Sequence, residues 1–298
     1  MEEYVGRIIR GIAGFYYVYV EGLGIFECKA KGIFRKDGEK PLVGDRVRLH
    51  SIVDTDREKP GSIDELLERK SLLLRPAVAN VDQALVVFAC ANPEPNLNLL
   101  DRFLCEMERQ GIDTIIAFSK RDLIDEKRRE YFRNIYEKAG YRVCFISSLE
   151  GDIEEIGPLL KGRVTALAGP SGVGKSSLVN MLQEQLYMET GDISRKLKKG
   201  RHTTRRAELL PVKDMADSFI VDTPGFSSLT VMVTDAGELP GLFREIRKFE
   251  DGCRFAGCAH IHEPDCSVKA ALERGEIAPE RYENYCSFYQ EVKSRRKY

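Results

Sequence analysis

Hydrophobic and polar residues alternate along the first 70 residues of the chain, and glycines interrupt the alternation at short intervals. The pattern is clearest in residues 14–35, GFYYVYVEGLGIFECKAKGIFR, and a Gly-Asp turn leads into a further strand within residues 41–54, PLVGDRVRLHSIVD. Runs of this length and period predict β-strands joined by tight turns. Short strands at such spacing are typical of a small barrel, so we expect residues 1–70 to form a β-barrel of the OB-fold type.

The alternation leaves two interpretations of the aromatic residues Phe15, Tyr17 and Tyr19. OB-type barrels often bind single-stranded nucleic acid, with aromatic side chains as stacking platforms for the bases. However, every second residue of a barrel strand must face inward whatever the barrel does. We therefore expect these three rings to fill the interior of the barrel.

From about residue 81 the pattern changes to apolar strands that alternate with helices. The strand candidates are rich in β-branched residues: VDQALVVFA, IDTIIAFS, RVCFISS and RVTALAG. Helical spacing occurs between them, in LNLLDRFLCEMERQG and EKRREYFRNIYEKAG. This alternation predicts a mostly parallel sheet in an α/β domain.

Strand character is low from about residue 238, where a cluster of cysteine and histidine residues precedes a basic tail. The chain is therefore predicted to be a multidomain protein. We expect the barrel over residues 1–70, the α/β domain over residues 71–235 and a small, mostly helical domain over residues 236–298.

Composition and charge limit the classes of protein to which this chain can belong. With 43% hydrophobic and 31% charged residues in 298 positions, the chain has an ordinary globular composition. The longest apolar run, ALVVFACA, is far shorter than the roughly 20 residues of a membrane span, and the acidic N-terminus lacks a signal sequence. We expect a cytoplasmic protein without membrane contact. The net charge of −1 excludes a uniformly basic surface, so any nucleic-acid contact must use local patches.

A glycine-rich motif, GPSGVGKSS, lies past the midpoint of the chain at residues 169–177. It follows the strand candidate RVTALAG and runs into SSLVNMLQEQL, which has helical spacing, and this is the context of a phosphate-binding P-loop. The glycines let backbone N–H groups approach phosphate oxygens, and the helix N-terminus favours the negative charge. Lys175 is expected to reach the β- and γ-phosphates, and the Ser176 hydroxyl to ligate Mg²⁺.

A second phosphate motif ends the apolar strand candidate DSFIVDTPG. Asp222 is expected to contact Mg²⁺ from the other side of the site, and the Gly225 N–H to sense the γ-phosphate. The tetrapeptide Asp-Thr-Pro-Gly alone occurs in ordinary turns. Combined with the P-loop and placed at a strand end, it indicates a nucleoside triphosphatase.

The base is indicated by AFSKRDL, residues 117–123, which follows an apolar strand candidate. GTPases place Asn-Lys-x-Asp at such a point, and the aspartate carboxylate accepts from the guanine N1–H and amino groups. Here Asp122 has that place, whereas Ser119 stands where asparagine is usual. Ser147 and Ser148, after RVCFI, fit the second guanine-contacting loop. Taken alone, Asp122 is also a plausible helix cap, but the three motifs together favour guanine.

The order of these motifs along the chain is unusual, because the base-reading segments precede the P-loop, and in ordinary GTPases the phosphate motifs come first. The sequence therefore predicts a circularly permuted GTPase. The candidate residues for binding GTP are Ser119, Lys120, Arg121, Asp122, Ser147, Ser148, Gly169, Pro170, Ser171, Gly172, Val173, Gly174, Lys175, Ser176, Ser177, Thr203, Thr204, Asp222 and Gly225.

A metal site is predicted near the C-terminus, where Cys253, Cys258, His260 and Cys266 form a C-x₄-C-x-H-x₅-C pattern. Three thiolates and one imidazole are the right number and type of ligand for a closed, tetrahedral structural zinc site with one Zn²⁺ per chain. His262 is the competing imidazole ligand. The other cysteines lack such spacing and are expected to be buried thiols: Cys28, Cys90, Cys105, Cys144 and Cys286.

With these motifs, essentially the whole chain resembles the bacterial ribosome small-subunit-dependent GTPase A family. The resemblance is carried by LLLRPAVANVDQALVV, the permuted motifs, GRHTTRR at residues 200–206, DTPGFSSL and the terminal cysteine cluster. It implies an OB-fold, a permuted GTPase core and a zinc domain. It also implies binding to the small ribosomal subunit and its 16S rRNA, and GTP hydrolysis that the subunit stimulates during late maturation. Ser119 departs from the asparagine that is usual in the family. A monomer is expected.

Residues 193–207, ISRKLKKGRHTTRRA, are basic and contain no acid. Such a run is often a solvated loop, but its place between the two phosphate motifs is that of switch I in GTPases. Thr203 or Thr204 is then the threonine that reaches Mg²⁺ and the γ-phosphate, and we assign Thr204 as the Mg²⁺ ligand although spacing does not separate them. The positive charge suits rRNA phosphates.

The catalytic group for hydrolysis is predicted to be His202. Many GTPases place a glutamine after the DxxG motif to orient the attacking water, and here that position is Phe226. A phenyl ring cannot orient water, whereas the imidazole of His202 beside the switch threonines can. The other interpretation of His202 is a surface histidine that only contacts RNA.

Two other functional classes remain open from the residues alone. The first is a P-loop ATPase or kinase, which the serine at position 119 keeps open. The second is an RNA-binding assembly factor that holds nucleotide without hydrolysing it.

Overall fold

The structure, a computed structural model, describes residues 2–31, 40–52, 59–74, 77–183, 207–222, 233 and 235–295. The chain divides into two compact units, each assembled from three separate stretches of sequence. The first unit contains Met1–Gln83, Gly157–Leu167 and Ser176–Phe226. The second unit contains Ala84–Ile156, Ala168–Lys175 and Ser227–Tyr298.

Five strands of the first unit form a closed barrel. They are β1 (Glu3–Ile12), β2 (Phe15–Val20), β3 (Gly24–Ala30), β4 (Arg46–Ser51) and β5 (Pro60–Leu66). The order around the barrel is β1-β2-β3-β5-β4, and the pairing is antiparallel except between β3 and β5. The barrel predicted from the alternation is therefore confirmed, and it has five strands.

The inward face of β2 differs from the one expected. Tyr16, Val18 and Val20 belong to the barrel core, so the alternate residues Phe15, Tyr17 and Tyr19 point outward, and the expectation that these rings fill the interior is wrong. Every position of β2 is apolar or aromatic, and a period of two without polar residues does not identify the inward face. The buried residues of the core are Ile8, Val18, Val20, Phe26, Cys28, Val47, Leu49 and Ile63.

The outward rings of β2 have different surroundings. The Lys29 ammonium lies 5.1 Å from the centre of the Phe15 ring, and the Arg10 guanidinium lies 4.6 Å from that of Tyr17. Tyr19 instead packs edge-to-face on Phe219 at 5.7 Å. Tyr19 therefore serves packing within the first unit, whereas Phe15 and Tyr17 form cation–π contacts on the outer face of the barrel.

Two sheets follow the barrel along the chain. A two-stranded sheet pairs β6 (Leu72–Leu74) with β7 (Ala77–Ala79). The strands of the larger sheet are β8 (Gln83–Ala89), β9 (Asp113–Ser119), β10 (Arg142–Phe145), β11 (Val164–Ala168), β12 (Glu208–Pro211) and β13 (Phe219–Asp222). Its order is β10-β9-β8-β11-β13-β12, and β12 runs antiparallel to β13. The α/β sheet predicted from the apolar strands is confirmed.

The described helices begin after β8. They are α1 (Leu97–Arg109), α2 (Glu126–Glu137), α3 (Gly157–Leu160), α4 (Lys175–Gln183), α5 (Leu239–Leu242), α6 (Arg244–Phe249), α7 (Ser267–Glu273) and α8 (Pro279–Arg295). The side chains of Asn96 and Asp125 cap α1 and α2 by accepting from backbone N–H groups. Among the described residues, no helix combines the length and apolarity needed to cross a bilayer.

The C-terminal helices pack around a buried arginine in the second unit. The Arg281 guanidinium of α8 donates to Glu245 of α6 at 2.7 and 3.1 Å and to Asp101 of α1 at 2.6 Å. All three side chains are at most 2% exposed. Burial by itself lowers the pKa of Arg281, but the carboxylates of Asp101 and Glu245 raise it well above its ordinary value. The arginine is therefore a buried cation with two buried anionic partners.

The cysteines outside the C-terminal cluster are thiols, as predicted. Cys28, Cys90, Cys105 and Cys144 are buried, whereas Cys286 on α8 is partly buried. Burial raises the pKa of both Cys28 and Cys90 to about 12. These thiols are protonated at neutral pH and act as small apolar side chains.

Candidate functional site

The segment between β11 and α4 has the geometry of a phosphate-binding loop. β11 is buried at every position and ends at Ala168, and α4 begins at Lys175. Between them Gly169, Gly172 and Gly174 adopt φ angles of 135°, 79° and 92°. Left-handed glycines ahead of a helix N-terminus let backbone N–H groups surround an anion. The strand, glycine loop and helix predicted for the P-loop motif are all present.

Gly169 and Lys175 show why these two residue types occur in the loop. A Cβ atom at Gly169 would lie 2.1 Å from the Val87 carbonyl oxygen, so only glycine lets the loop pass this close to β8. The Lys175 ammonium donates to the carbonyls of Gly169 at 2.6 Å and Pro170 at 2.5 Å. These contacts place its positive charge over the start of the loop.

The Ser119 side chain links the end of β9 to the phosphate-binding loop. Ser119 is 2% exposed, and its hydroxyl lies 2.5 Å from the Val173 carbonyl oxygen and 3.4 Å from that of Phe88. A hydroxyl donates one proton, and the shorter distance identifies Val173 as the main acceptor. The buried hydroxyl of Ser119 therefore connects the end of β9 to the phosphate-binding loop.

Lys120 makes a second link between the same loops. Its backbone is left-handed, with a φ angle of 57°. The side-chain ammonium donates to the carbonyls of Gly172, at 3.3 Å, and Asn92. The segment after β9, the loop after β8 and the phosphate-binding loop are thus joined through one cation.

Asp122 and Ser147, predicted to read the base, are in direct contact. The Ser147 hydroxyl donates to Asp122 Oδ1 at 2.7 Å and lies 3.3 Å from the Glu150 backbone N–H, which donates to it. Ser147 is fully buried, whereas Asp122 is exposed. The buried hydroxyl therefore orients a carboxylate that is accessible to a ligand.

The loop that carries Ser147 is fixed by backbone and charged contacts. Ser147 and Asp152 exchange two backbone hydrogen bonds of 3.2 and 2.9 Å. Arg121 pairs with the carboxylates of Glu150, at 3.2 Å, and Asp152. Arg121 therefore holds the neighbouring loop through ion pairs. Ser148, which follows Ser147 in this loop, is partly exposed.

The other predicted residues are not all described. Ser171, Ser176 and Ser177 are exposed on the phosphate-binding loop and the first turn of α4, and Asp222 ends β13. Ala166 pairs with Val221 in the parallel ladder, so Asp222 lies level with the carboxyl end of β11. The remaining predicted residues lie outside the described residues: His202, Thr203, Thr204 and Gly225.

Four side chains near the C-terminus can hold a metal ion. The ligand atoms of Cys253, Cys258, His260 and Cys266 all lie within 4.8 Å of one another, and His262 is not among them. Cys253 Sγ is 3.8 Å from Cys266 Sγ, and His260 Nδ1 is 3.4 and 3.5 Å from these two sulfurs. The structure therefore brings together the four residues predicted from their spacing.

Two features of this metal site were not predicted from the sequence. The Ser267 hydroxyl donates to the Phe249 carbonyl and lies 3.2 Å from Cys253 Sγ. The only signal for this was its place directly after Cys266. Burial also lowers the pKa of His260, although Glu263 opposes the shift. The imidazole is thus neutral at neutral pH, which is the form that binds a metal.

Comparison with known proteins gives consistent matches along the chain. The family model described as RsgA GTPase matches residues 66–232, and that described as RsgA N-terminal domain matches residues 5–60. A protein of Agathobacter rectalis named "Small ribosomal subunit biogenesis GTPase RsgA" is 52% identical over 98% of this chain and 99% of its own length. A protein of the same name from Caldanaerobacter subterraneus subsp. tengcongensis is 44% identical over 100% of this chain and 98% of its own length.

Solved structures agree with these matches. YloQ, described as a circularly permuted GTPase, has a TM-score of 0.79 and 37% identity, with 99% of this chain and 96% of the other covered. YjeQ from Thermotoga maritima has a TM-score of 0.78 and 35% identity, with 98% of this chain and 99% of the other covered. Together with the barrel, the GTPase family model and the cluster of three cysteines and a histidine, this likeness confirms the predicted fold class.

Proposed function

The chain belongs to the RsgA GTPase family, and on that premise we propose that it binds the small ribosomal subunit and acts in its late maturation. In this proposal the subunit stimulates hydrolysis of GTP to GDP and phosphate. As a member of this family the chain is a GTP hydrolase, which separates it from the ATPase and kinase classes. The ribosomal part rests on the 52% identity, over 98% of the chain, to a protein named for biogenesis of the small subunit.

In the proposed nucleotide complex the phosphates lie on the loop at residues 169–175, with the Lys175 ammonium beside the β- and γ-phosphates. The Asp122 carboxylate accepts from the guanine N1–H and amino groups, and Ser147 orients it. This assignment is supported by the positive φ angles of the loop glycines and by the 2.7 Å hydrogen bond between Ser147 and Asp122. We assign to Ser119 and Lys120 the positioning of the two loops.

The proposed magnesium ligands are Ser176, Thr204 and Asp222. Ser176 exposes a hydroxyl in the first turn of α4, and Asp222 ends a strand that runs parallel to β11. Oxygen donors of this kind are the ligands that Mg²⁺ prefers. Together with Thr204 they would hold the ion, and bound Mg²⁺ neutralises charge on the β- and γ-phosphates.

The three predicted domains keep separate proposed roles. The barrel, residues 1–70, contacts rRNA, and its outward Phe15 and Tyr17 lie beside Lys29 and Arg10, in keeping with stacking on single-stranded RNA. The GTPase domain spans residues 71–235 and the metal domain spans residues 236–298. The proposed location is the cytoplasm, because the ribosomal subunit is there, and the proposed oligomeric state is a monomer.

We expect GTP turnover by the chain alone to be slow, on the order of 10⁻⁴ s⁻¹ as for an unassisted GTPase, because Phe226 cannot orient water. Small subunits should raise the rate of phosphate release severalfold or more. His202→Ala should bind GTP and the subunit normally but lose most of this stimulation. His262→Ala is the matched control, because it also removes an imidazole, but from an exposed residue near the C-terminus.

Phosphate release that is identical with and without purified small subunits would contradict the proposed stimulation by the subunit. Full stimulation of His202→Ala would leave the ribosomal role standing but move the catalytic group to another residue or to the ribosome. Phosphate release with and without subunits is measured for the wild-type protein and for His202→Ala in the same assay.

The metal in the C-terminal domain is proposed to be zinc. Zn–S bonds of about 2.3 Å and Zn–N bonds of about 2.0–2.1 Å at tetrahedral angles separate two sulfurs by about 3.8 Å, and a sulfur from a nitrogen by about 3.5 Å. The distance from Cys253 to Cys266 is 3.8 Å, and those from His260 Nδ1 to these sulfurs are 3.4 and 3.5 Å. Three thiolates and one imidazole leave no position open, so the site is structural.

Protein purified without chelators is expected to contain one zinc per chain by elemental analysis. Cys258→Ser should lose the zinc and speed hydrogen exchange across residues 250–270, because metal binding at such sites is largely folding free energy. GDP binding should persist, since the nucleotide loops lie outside this segment. Cys286→Ser removes a thiol that is not one of the four ligands and should keep its zinc. A zinc-free wild-type protein would refute the site.

A further inference from the structure

The backbone at His260 has an unusual conformation for a metal ligand. Its φ angle is 57°, in the left-handed region that residues other than glycine rarely adopt. The side chain is 2% exposed, and its ring centre lies 6.5 Å from that of Tyr285. Such a conformation persists only when the surroundings over-determine it. The contacts that do so lie within a few residues of His260 and on α8.

The Glu263 carboxylate binds the backbone on both sides of His260. Oε1 accepts from the Ala259 N–H at 2.9 Å, and Oε2 accepts from the N–H groups of Ile261 and His262 at 3.1 Å each. Burial raises the pKa of the Glu263 carboxyl, but the hydrogen bonds from backbone N–H groups have the larger effect and lower the pKa to about 2. One anionic side chain thus satisfies three backbone donors in four consecutive residues.

Two tyrosine hydroxyls of α8 bind the carbonyl groups of the same segment. Tyr285 donates to the Ala259 carbonyl at 2.7 Å, and Tyr282 donates to the His260 carbonyl at 2.6 Å. The Glu263 carboxylate and the two hydroxyls therefore bind the backbone donors and acceptors around His260. The resulting shape turns Nδ1 of the ring toward the sulfurs of Cys253 and Cys266.

We propose that Glu263 is a positioning residue for the metal site, which keeps the segment 259–262 in the shape that presents His260 Nδ1 to the ion. Tyr282 and Tyr285 complete the same support from α8. The inference rests on the proposed zinc site. These hydrogen bonds come from the protein itself, and they would orient the His260 ring toward the ion as other residues that orient metal ligands do.

The test is zinc affinity of the full-length protein, measured by competition with a chromogenic chelator. Glu263→Gln keeps the size of the side chain but replaces one acceptor oxygen with an amide that cannot accept. It is expected to raise the zinc dissociation constant about 10- to 100-fold, as for other residues that orient metal ligands. Tyr282→Phe, which removes a single hydroxyl, should raise it less. Unchanged GDP affinity will show that the nucleotide-binding loops of the variants are folded.

Glu250→Gln is the matched control, because it removes the same charge from a partly exposed residue close to Cys253 without touching segment 259–262. An equal loss of zinc affinity in Glu250→Gln would overturn the proposal, since the effect would then come from net charge alone. So would an unchanged dissociation constant in Glu263→Gln. Failure of the wild-type protein to bind zinc would instead refute the metal site itself.

A spectroscopic measurement separates positioning from general stability. Protein loaded with Co²⁺ in place of zinc should show visible absorption bands of a tetrahedral site with three sulfur ligands and one nitrogen ligand. In Glu263→Gln these bands should shift or broaden, because the imidazole is no longer held in one orientation. Bands identical to those of the wild-type protein would mean that Glu263 does not position His260.

Discussion

Asp122→Asn is expected to weaken GTP binding at least about 100-fold, which is about 2.7 kcal/mol, and to create affinity for XTP. The aspartate is proposed to accept hydrogen bonds from two guanine donors, and an ionised acceptor makes these bonds strong. An asparagine presents one acceptor and one donor group. Xanthine carries a carbonyl oxygen where guanine carries its amino group. The amide NH₂ can therefore donate to xanthine, whereas it faces another donor in guanine.

The structure indicates which way the new amide should point. Ser147 donates its hydroxyl proton to Asp122 Oδ1 at 2.7 Å, and the hydroxyl also accepts from the Glu150 N–H. Ser147 therefore needs an acceptor at this position, which the carbonyl oxygen of an asparagine supplies. The amide NH₂ group then occupies the place of Oδ2 and faces the base.

Equilibrium titration with fluorescent GDP and XDP analogues measures both changes. Ser147→Ala is the matched control, because it removes the hydroxyl that orients Asp122 but keeps the carboxylate. It should weaken both nucleotides about 10-fold and leave the preference for guanine intact. Unchanged GDP affinity in Asp122→Asn would show that another segment reads the base.

Arg281→Met should lower the free energy of unfolding by about 3–5 kcal/mol, because it leaves two buried carboxylates without a cation. Asp101 and Glu245 are each 2% exposed, and the guanidinium also lies 4.7 Å from the centre of the Phe243 ring. Methionine fills much of the volume but supplies no hydrogen bond. The loss is large compared with the total stability of a typical domain, which is about 5–15 kcal/mol.

Urea unfolding, with hydrogen exchange in α8 as a local probe, measures this loss. The triple variant Arg281→Met, Asp101→Asn, Glu245→Gln removes both stranded charges and should recover roughly half of it. Arg274→Met breaks an exposed pair with Glu276 and should cost less than about 1 kcal/mol. A small effect of Arg281→Met alone would mean that water or rearranged side chains compensate the carboxylates.

Local patterns in the sequence were sufficient for the elements of the fold. The apolar runs before the P-loop and before Ser119 and Ser147 are strands β11, β9 and β10, and both helical stretches between them are helices. These elements are predictable because hydrophobic period and turn residues act over a few positions. The face of β2 that points into the barrel was not predictable, because Phe15, Tyr17 and Tyr19 alternate with residues that are equally able to be buried.

The residues of the candidate site also divide into those whose role the sequence predicts and those whose role it does not. The spacing of glycines, Lys175 and Ser176 indicates phosphate binding by itself, and that of three cysteines and His260 indicates a metal, because these ligands are close in sequence. The role of Ser119 was not predictable. Its partner Val173 is 54 residues away, and only the structure shows that the hydroxyl bonds to the phosphate-binding loop.

By itself, the sequence determined the order of the motifs, and hence the permuted GTPase, together with the ligand set near the C-terminus. Tertiary structure alone decided which polar groups became partners across long stretches of chain. Arg281 meets Asp101 across 180 residues, and the tyrosines of α8 meet the backbone beside His260. The physical reason is that a buried charge or a strained backbone needs partners wherever packing places them, and packing depends on the whole chain.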